Sequence, residues 1–284
     1  MTLWTVQIIN GLSFGMLLFM LAAGMTLGFG LLRIINLAHG SYYLLGSYIG
    51  IAVVEATGSF WLAALVSGIA MALLGFGMWR LLLCRYISNE LAMVLLTFGF
   101  LLLLGDLSLW QFGGAPQTIP APPPFDGPVE IGDLRFPAYR LFLLGAGALV
   151  AVFLWWLIVW TRVGMLVRAA VNDPQMAQGL GVNVAVLMTG VFSLSAGLAG
   201  VAGVLGGPLI GVYPGADLVV LLLAIVVVIL GGLGSLWGAL LASLIVGLLD
   251  TAGRTLFPEF SMFAIFAPMA LILVIRPSGL LGRA

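Results

Sequence analysis

Three polar side chains, Arg33, Asn36 and His39, sit between two long apolar runs, and His39 is the only histidine in 284 residues. They fall in the glycine-punctuated stretch Gly24 to Gly50, GMTLGFGLLRIINLAHGSYYLLGSYIG. The chemistry open to them is narrow. His39 and Ser41 are the residue types of a base and a nucleophile, but residues two apart on a helix point to different sides. A metal site takes several convergent ligands, and one histidine with the single Cys84 falls short. A phosphate loop of the form G-x-x-x-x-G-K-[ST] needs a lysine, and all ten basic residues are arginine. Proton-coupled carriers hold acids in mid-span. Asp106, Asp217 and Asp250 lie near apolar runs, yet each falls at the end of one. The residues therefore read as a passive pathway that a partner drives, with no catalytic centre and no cofactor of its own.

Two readings of the break at residues 33–39 are open. One is a surface loop in which Asn36 caps the next helix. The other is polar backbone at membrane depth, which is tolerated only where protein or a water-filled cavity surrounds it. An asparagine or histidine facing hydrocarbon costs several kcal/mol. On that ground Asn36, His39 and Ser41 are expected to line a path near its cytoplasmic side. Tyr42 and Tyr43 would add gating rings, and a wet His39 would titrate near neutral pH.

The elements that must position these residues follow from composition. The chain is 63% hydrophobic and 7% charged, against about 25% charged in soluble domains, so it is an integral membrane protein. Ten arginines balance ten acids, which leaves no electrostatic footprint for nucleic acid. The N-terminus, MTLWTVQIIN, has no positive charge ahead of its apolar stretch, so the first segment is expected to stay as a span. The apolar runs are continuous and longer than the alternating strands of a barrel. Spans are expected at 5–27, 38–54, 60–80, 90–110, 139–160, 184–206, 218–231, 236–250 and 259–275. Runs 218–231 and 236–250 are short and separated only by GGLGS, so they are either full crossings or halves of a broken pair. The expected fold is all-α, a polytopic membrane helix bundle of about 8–9 spans with broken or re-entrant helices, forming one transmembrane domain over 1–284.

Arginine placement orients the bundle. With the C-terminus cytoplasmic and nine crossings, Arg33, Arg80, Arg85, Arg162, Arg168, Arg276 and Arg283 face the cytoplasm, and Arg135, Arg140 and Arg254 face out. Two polar segments interrupt the spans. Residues 111–138 hold seven of the thirteen prolines, which forbids a continuous helix and favours an extended surface path. This external loop is either a passive connector or a docking surface carrying Asp126, Glu130, Asp133 and Arg135. In 161–183, Asp173 suits an N-cap with Pro174 at the first helical position, and Gly181 suits C′. A short helix from Pro174 to Leu180 is expected on the cytoplasmic side, most simply as a protein contact. Glycine pairs such as Gly11/Gly15, Gly24/Gly28 and Gly46/Gly50 argue for close helix packing in lipid.

Four motifs in order resemble one family. GMTLGFGLLRIINLAHGSYYLLGSY resembles the N-terminal signature of LIV-type ABC permeases, the membrane subunits of branched-chain amino-acid importers, whose related members carry urea or short amides. RAAVNDPQMAQGLGVN resembles that family's cytoplasmic coupling segment. VVILGGLGSLWGALLASLIVGLLD and the ending RPSGLLGR resemble its C-terminal half. The resemblance implies two permease subunits, here expected as a heterodimer in a bacterial-type inner membrane. It also implies two ATPase subunits that bind the ATP and a periplasmic or extracellular binding protein. It places Arg168, Asn172, Asp173, Pro174, Met176, Ala177, Leu180 and Gly181 at the ATPase contact. Asn36, His39, Ser41, Tyr42 and Tyr43 fall on the first signature, and Gly231, Gly232, Gly234 and Ser235 on the second, at breaks where a path could open. The chain departs from the family twice, with Ser41 where members often have an acid and Leu223 where they often have a lysine. Rival readings are a stand-alone secondary carrier or channel, a membrane enzyme using His39, and a purely structural subunit.

Overall fold

The computed structural model describes the chain except residues 1, 33–35, 88, 132–133, 257 and 283–284. Arg33, Asp133 and Arg283 therefore lie outside the described residues. Nine helices stand where the nine apolar runs were expected: α1 (Thr2–Leu32), α2 (His39–Thr57), α3 (Phe60–Leu81), α4 (Glu90–Phe112), α5 (Ala138–Trp160), α8 (Val184–Ile210), α9 (Ala216–Gly231), α10 (Leu236–Leu256) and α11 (Ser261–Ile275). Between α5 and α8 lie two further helices, α6 (Arg162–Asn172) and α7 (Pro174–Gly179). Six helices, α1, α3, α4, α5, α8 and α10, are long and apolar enough to cross a bilayer. Large apolar side chains on α3, α4 and α5 stay exposed, among them Leu73, Leu91 and Leu149. A surface of that kind needs lipid around it, and the chain is a multi-pass membrane protein.

The segment expected to follow an extended surface path includes a hairpin. Strands β1 (Pro128–Ile131) and β2 (Leu134–Pro137) form an antiparallel hairpin that pairs Val129 with Phe136 and Glu130 with Arg135. The prolines at its two outer positions face each other, Pro128 opposite Pro137, where a missing donor costs the short ladder least. The hairpin leads into α5, a helix of about 34 Å that ends at α6, so hairpin and α6–α7 mark opposite ends of the bundle.

Close packing is built on glycine. A Cβ at Gly46 of α2 would lie 2.6 Å from Gly200 Cα of α8, and one at Gly15 of α1 would lie 2.7 Å from Ser243 O of α10. With no hydrophobic drive between helices in lipid, such backbone approach supplies the van der Waals contact that holds the bundle. α8 is the central element, packed against α1, α2 and α3, while α1 also packs along α5 and α10.

Two helices begin inside the bundle. His39 contacts α1 at Leu21 and Gly24, and Leu21 lies eleven residues, about 16 Å, before the end of α1. The start of α2 thus lies well back along α1 from Leu32. At the other end, Val212 bridges to Gln117 in both directions at 2.8 Å, and residues 213–215 turn inward with Gly215 at φ +91°. α9 then starts at Ala216 beside Gly105 of α4, about 10 Å along α4 from Phe112. Of the two short runs, α9 remains short at 16 residues, whereas α10 continues six residues past its expected end to reach 21. Asp250 and Arg254 support that extension, with both carboxylate oxygens within 2.9 Å of Nε.

Candidate functional site

Asn36 makes the turn that starts α2. Its side-chain oxygen accepts the Ala38 N–H at 3.1 Å and its carbonyl accepts the His39 N–H at 3.2 Å, a local turn ahead of the helix, whereas the N-cap itself is Ala38 and has no side-chain cap hydrogen bond. It is half-buried, and residues 38–44 are buried. The His39 ring is fully buried, and Nε2 donates to Leu21 O at 2.9 Å, which fixes the proton on that nitrogen. Nδ1 is buried without a partner. His39 is not wet in this conformation, so the condition attached to its titration is not met.

Three consecutive residues of α2 turn to three different neighbours, as a rotation of about 100° per residue requires. Ser41 Oγ donates to Leu101 O of α4 at 3.0 Å and lies 3.5 Å from Asp217 Oδ2 of α9. The Tyr42 hydroxyl donates to Met78 Sδ of α3 at 2.8 Å. The Tyr43 hydroxyl points at Gly206 of α8 and has no hydrogen-bond partner. His39 and Ser41 thus bond to different helices and do not form a base–nucleophile pair. Among the described residues, no three His, Cys, Asp or Glu side chains converge to hold a metal ion.

Gly231, Gly232, Gly234 and Ser235 form the α9–α10 turn, with Gly232 and Gly234 at φ +98° and +80°, a conformation only glycine adopts without strain. Ser235 caps α10 by accepting the Gly238 N–H. The turn meets the first signature at Gly30 of α1, nine residues and about 14 Å along that helix from Leu21, and so not at His39–Tyr43. Sequence reasoning missed what braces this turn. The N–H groups of Leu280 and Leu281 donate to Leu230 O and Gly231 O, so the ending RPSGLLGR satisfies the last carbonyls of α9.

At the opposite end from the hairpin, the capping pattern of α7 forms as the residue types dictate. Asp173 Oδ1 accepts the Met176 N–H at 2.9 Å, Pro174 takes the first helical position, and Gly181 has φ +86°. Met176 and Leu180 are 62% and 78% exposed. Arg168, Asn172, Asp173 and Pro174 are exposed as well. Ala177 differs, because it is buried against Ala170 and Val184 and seats the helix rather than presenting a surface. The sequence reading missed α6, although Thr161 is a good N-cap and accepts the Gly164 N–H.

At the hairpin end, Glu130 and Arg135 satisfy each other at 2.9 Å, an exposed pair worth about 0–1 kcal/mol. Asp126 is exposed at the rim of a cavity of about 310 Å³ whose lining includes Phe125, Tyr139 and Pro208.

A transport subunit is what this arrangement of interrupted helices, sealed polar groups and exposed end surfaces resembles, and the comparisons agree. The permease protein LivH of the high-affinity branched-chain amino acid transport system of Escherichia coli (strain K12) is 28% identical over 98% of this chain and 95% of its own length. Its counterpart BraD of Pseudomonas aeruginosa is also 28% identical, over 98% of this chain and 95% of its length. The LivM permease protein of Salmonella typhimurium is 29% identical over 94% of this chain and 68% of its length. No solved structure matches. Residues 7–274 match the family model described as branched-chain amino acid transport system / permease component, and the chain belongs to that family.

Proposed function

We propose that this chain is one permease subunit of an ATP-driven importer for branched-chain or related amino acids. In this reading it pairs with a second, non-identical permease, engages two ATPase subunits on one face and receives substrate from a binding protein on the other. The observation that carries the reading is α7, a helix of two capped turns whose Met176 and Leu180 project from the end of the bundle. A self-sufficient carrier has no use for an apolar peg held by its own N-cap and a positive-φ glycine. Relatives named as separate LivH and LivM permeases support a heterodimer. The hairpin end, with Asp126, Glu130 and Arg135 exposed, would meet the binding protein and therefore faces outward, leaving α6 and α7 in the cytoplasm of a bacterial-type cell.

The path would open at the interrupted starts of α2 and α9 and at the turn Gly231–Ser235. Asn36, His39, Ser41, Tyr42 and Tyr43 would be uncovered when α2 shifts, because each is half-buried or buried now. The subunit performs no chemistry of its own, and ATP is bound and hydrolysed by its partners. The test is a complex of both permeases, the ATPases and the binding protein in lipid vesicles. Leucine, isoleucine or valine should stimulate ATP hydrolysis and enter the vesicle. Stimulation by urea or short amides alone would reassign the substrate, and import without ATP would favour a stand-alone carrier.

A further inference from the structure

Asp217 is 5% exposed and has no ion-pair partner among the described residues. It is the second residue of α9. The first turn of α2 lies directly on it. A Cβ at Gly40 would stand 2.3 Å from Asp217 O and 2.9 Å from Leu221 Cβ, and Ser41 Oγ is 3.5 Å from Oδ2. α4 closes a third side, where a Cβ at Gly105 would be 3.3 Å from Oδ2.

Two helix N-termini therefore meet inside the bundle. Each carries about half an elementary positive charge from its unsatisfied N–H groups, and in a dry, low-dielectric interior neither is screened. One carboxylate at the junction supplies about the charge that cancels both ends. A buried acid with no cationic side chain among the described residues is then accounted for, and so is the contact between two like dipole ends.

We propose that Asp217 is a positioning residue, whose negative charge holds the starts of α2 and α9 together and thereby sets Asn36 and His39 for transport. The place of the charge matters, not the helix that carries it, since position 41 reaches the same junction from α2. The transport part of the proposal rests on the permease reading.

The test compares the parent, Asp217→Asn, Ser41→Asp and the double variant Asp217→Asn/Ser41→Asp. It reads thermal unfolding of the purified subunit and import by the assembled complex. Asp217→Asn keeps the shape and removes the charge. It should melt lower and import about tenfold less, the scale of a lost charge–dipole contact. The double variant should recover in both. Ser41→Asp alone should also melt lower, because two carboxylates then share one site. Asp217→Asn behaving like the parent, or a double variant no better than Asp217→Asn, overturns the proposal, since a packing role cannot be rescued from another helix. If Asp217→Asn fails to assemble, recovery of assembly in the double variant supports the charge, and its failure overturns it. A parent that imports nothing, with the melting pattern as expected, supports the charged junction while overturning the transporter reading.

Discussion

His39 begins α2 with one ring nitrogen bonded to a mid-helix carbonyl and the other buried without a partner. An unsatisfied buried acceptor costs about 1–3 kcal/mol, so the site carries an imbalance that another state of the protein could relieve. Replacing His39 by glutamine keeps a donor for Leu21 O, and replacing it by leucine removes it. We expect His39→Leu to assemble but import about tenfold less, a loss of about 1.4 kcal/mol, with His39→Gln in between. Equal import by parent and His39→Leu at matched expression would place the path elsewhere. His39 was legible in the sequence as a polar residue inside an apolar region. Its partner was not, because Leu21 O meets the ring only after α1 and α2 pack.

At the scale of elements, α7 and the α2–α8 contact make opposite demands. α7 depends on its ends, so Asp173→Ala with Gly181→Val should unravel it, each cap being worth about 1 kcal/mol. The spans are untouched and the subunit should still insert, while co-purification of the ATPases should fall sharply. Full retention of the ATPases would remove α7 from the coupling role. The α2–α8 contact depends instead on the absence of a side chain. Gly46→Val sets a Cβ 2.6 Å from a backbone carbon, and overpacking of this kind costs about 1–3 kcal/mol, so the melting temperature should drop. Gly77→Ala on α3 is the counterpart. A Cβ there meets nothing within 4 Å, and alanine in a helix gains about 1 kcal/mol over glycine, so the melting temperature should hold or rise. The caps of α7 were readable from residue types alone, since capping is local. The glycine pairs showed that helices approach closely, but not which ones.

For the whole molecule, orientation is the open quantity. Among the described residues Arg80, Arg85, Arg162, Arg168 and Arg276 gather toward the α6–α7 end, and Arg135, Arg140 and Arg254 toward the hairpin end. On the positive-inside rule we expect α6–α7 in the cytoplasm. Single cysteines at the exposed positions Pro123 and Gln178, in a Cys84→Ala background, answer this with an impermeant thiol reagent. After permeabilising only the outer membrane, position 123 should label and position 178 should not until the cells are lysed. The reverse pattern would invert the bundle.

The sequence by itself determined that this is a membrane bundle, where its nine apolar helices lie, and which residues cap α7. Hydropathy reports whether a residue tolerates water, and capping is settled within four residues. Depth is different. Nothing in the run ADLVVLLLAIVVVILG says that its first acid begins inside the bundle, because a helix starting at a surface and one starting at mid-depth have the same local pattern. Asp217 therefore read as a span-end residue, and only the tertiary structure put it against Gly40 and Ser41. The same holds for the C-terminal RPSGLLGR, whose N–H groups close a helix fifty residues away in the chain. Depth and partnership arise from which backbones can approach one another, and that is decided between helices rather than along them.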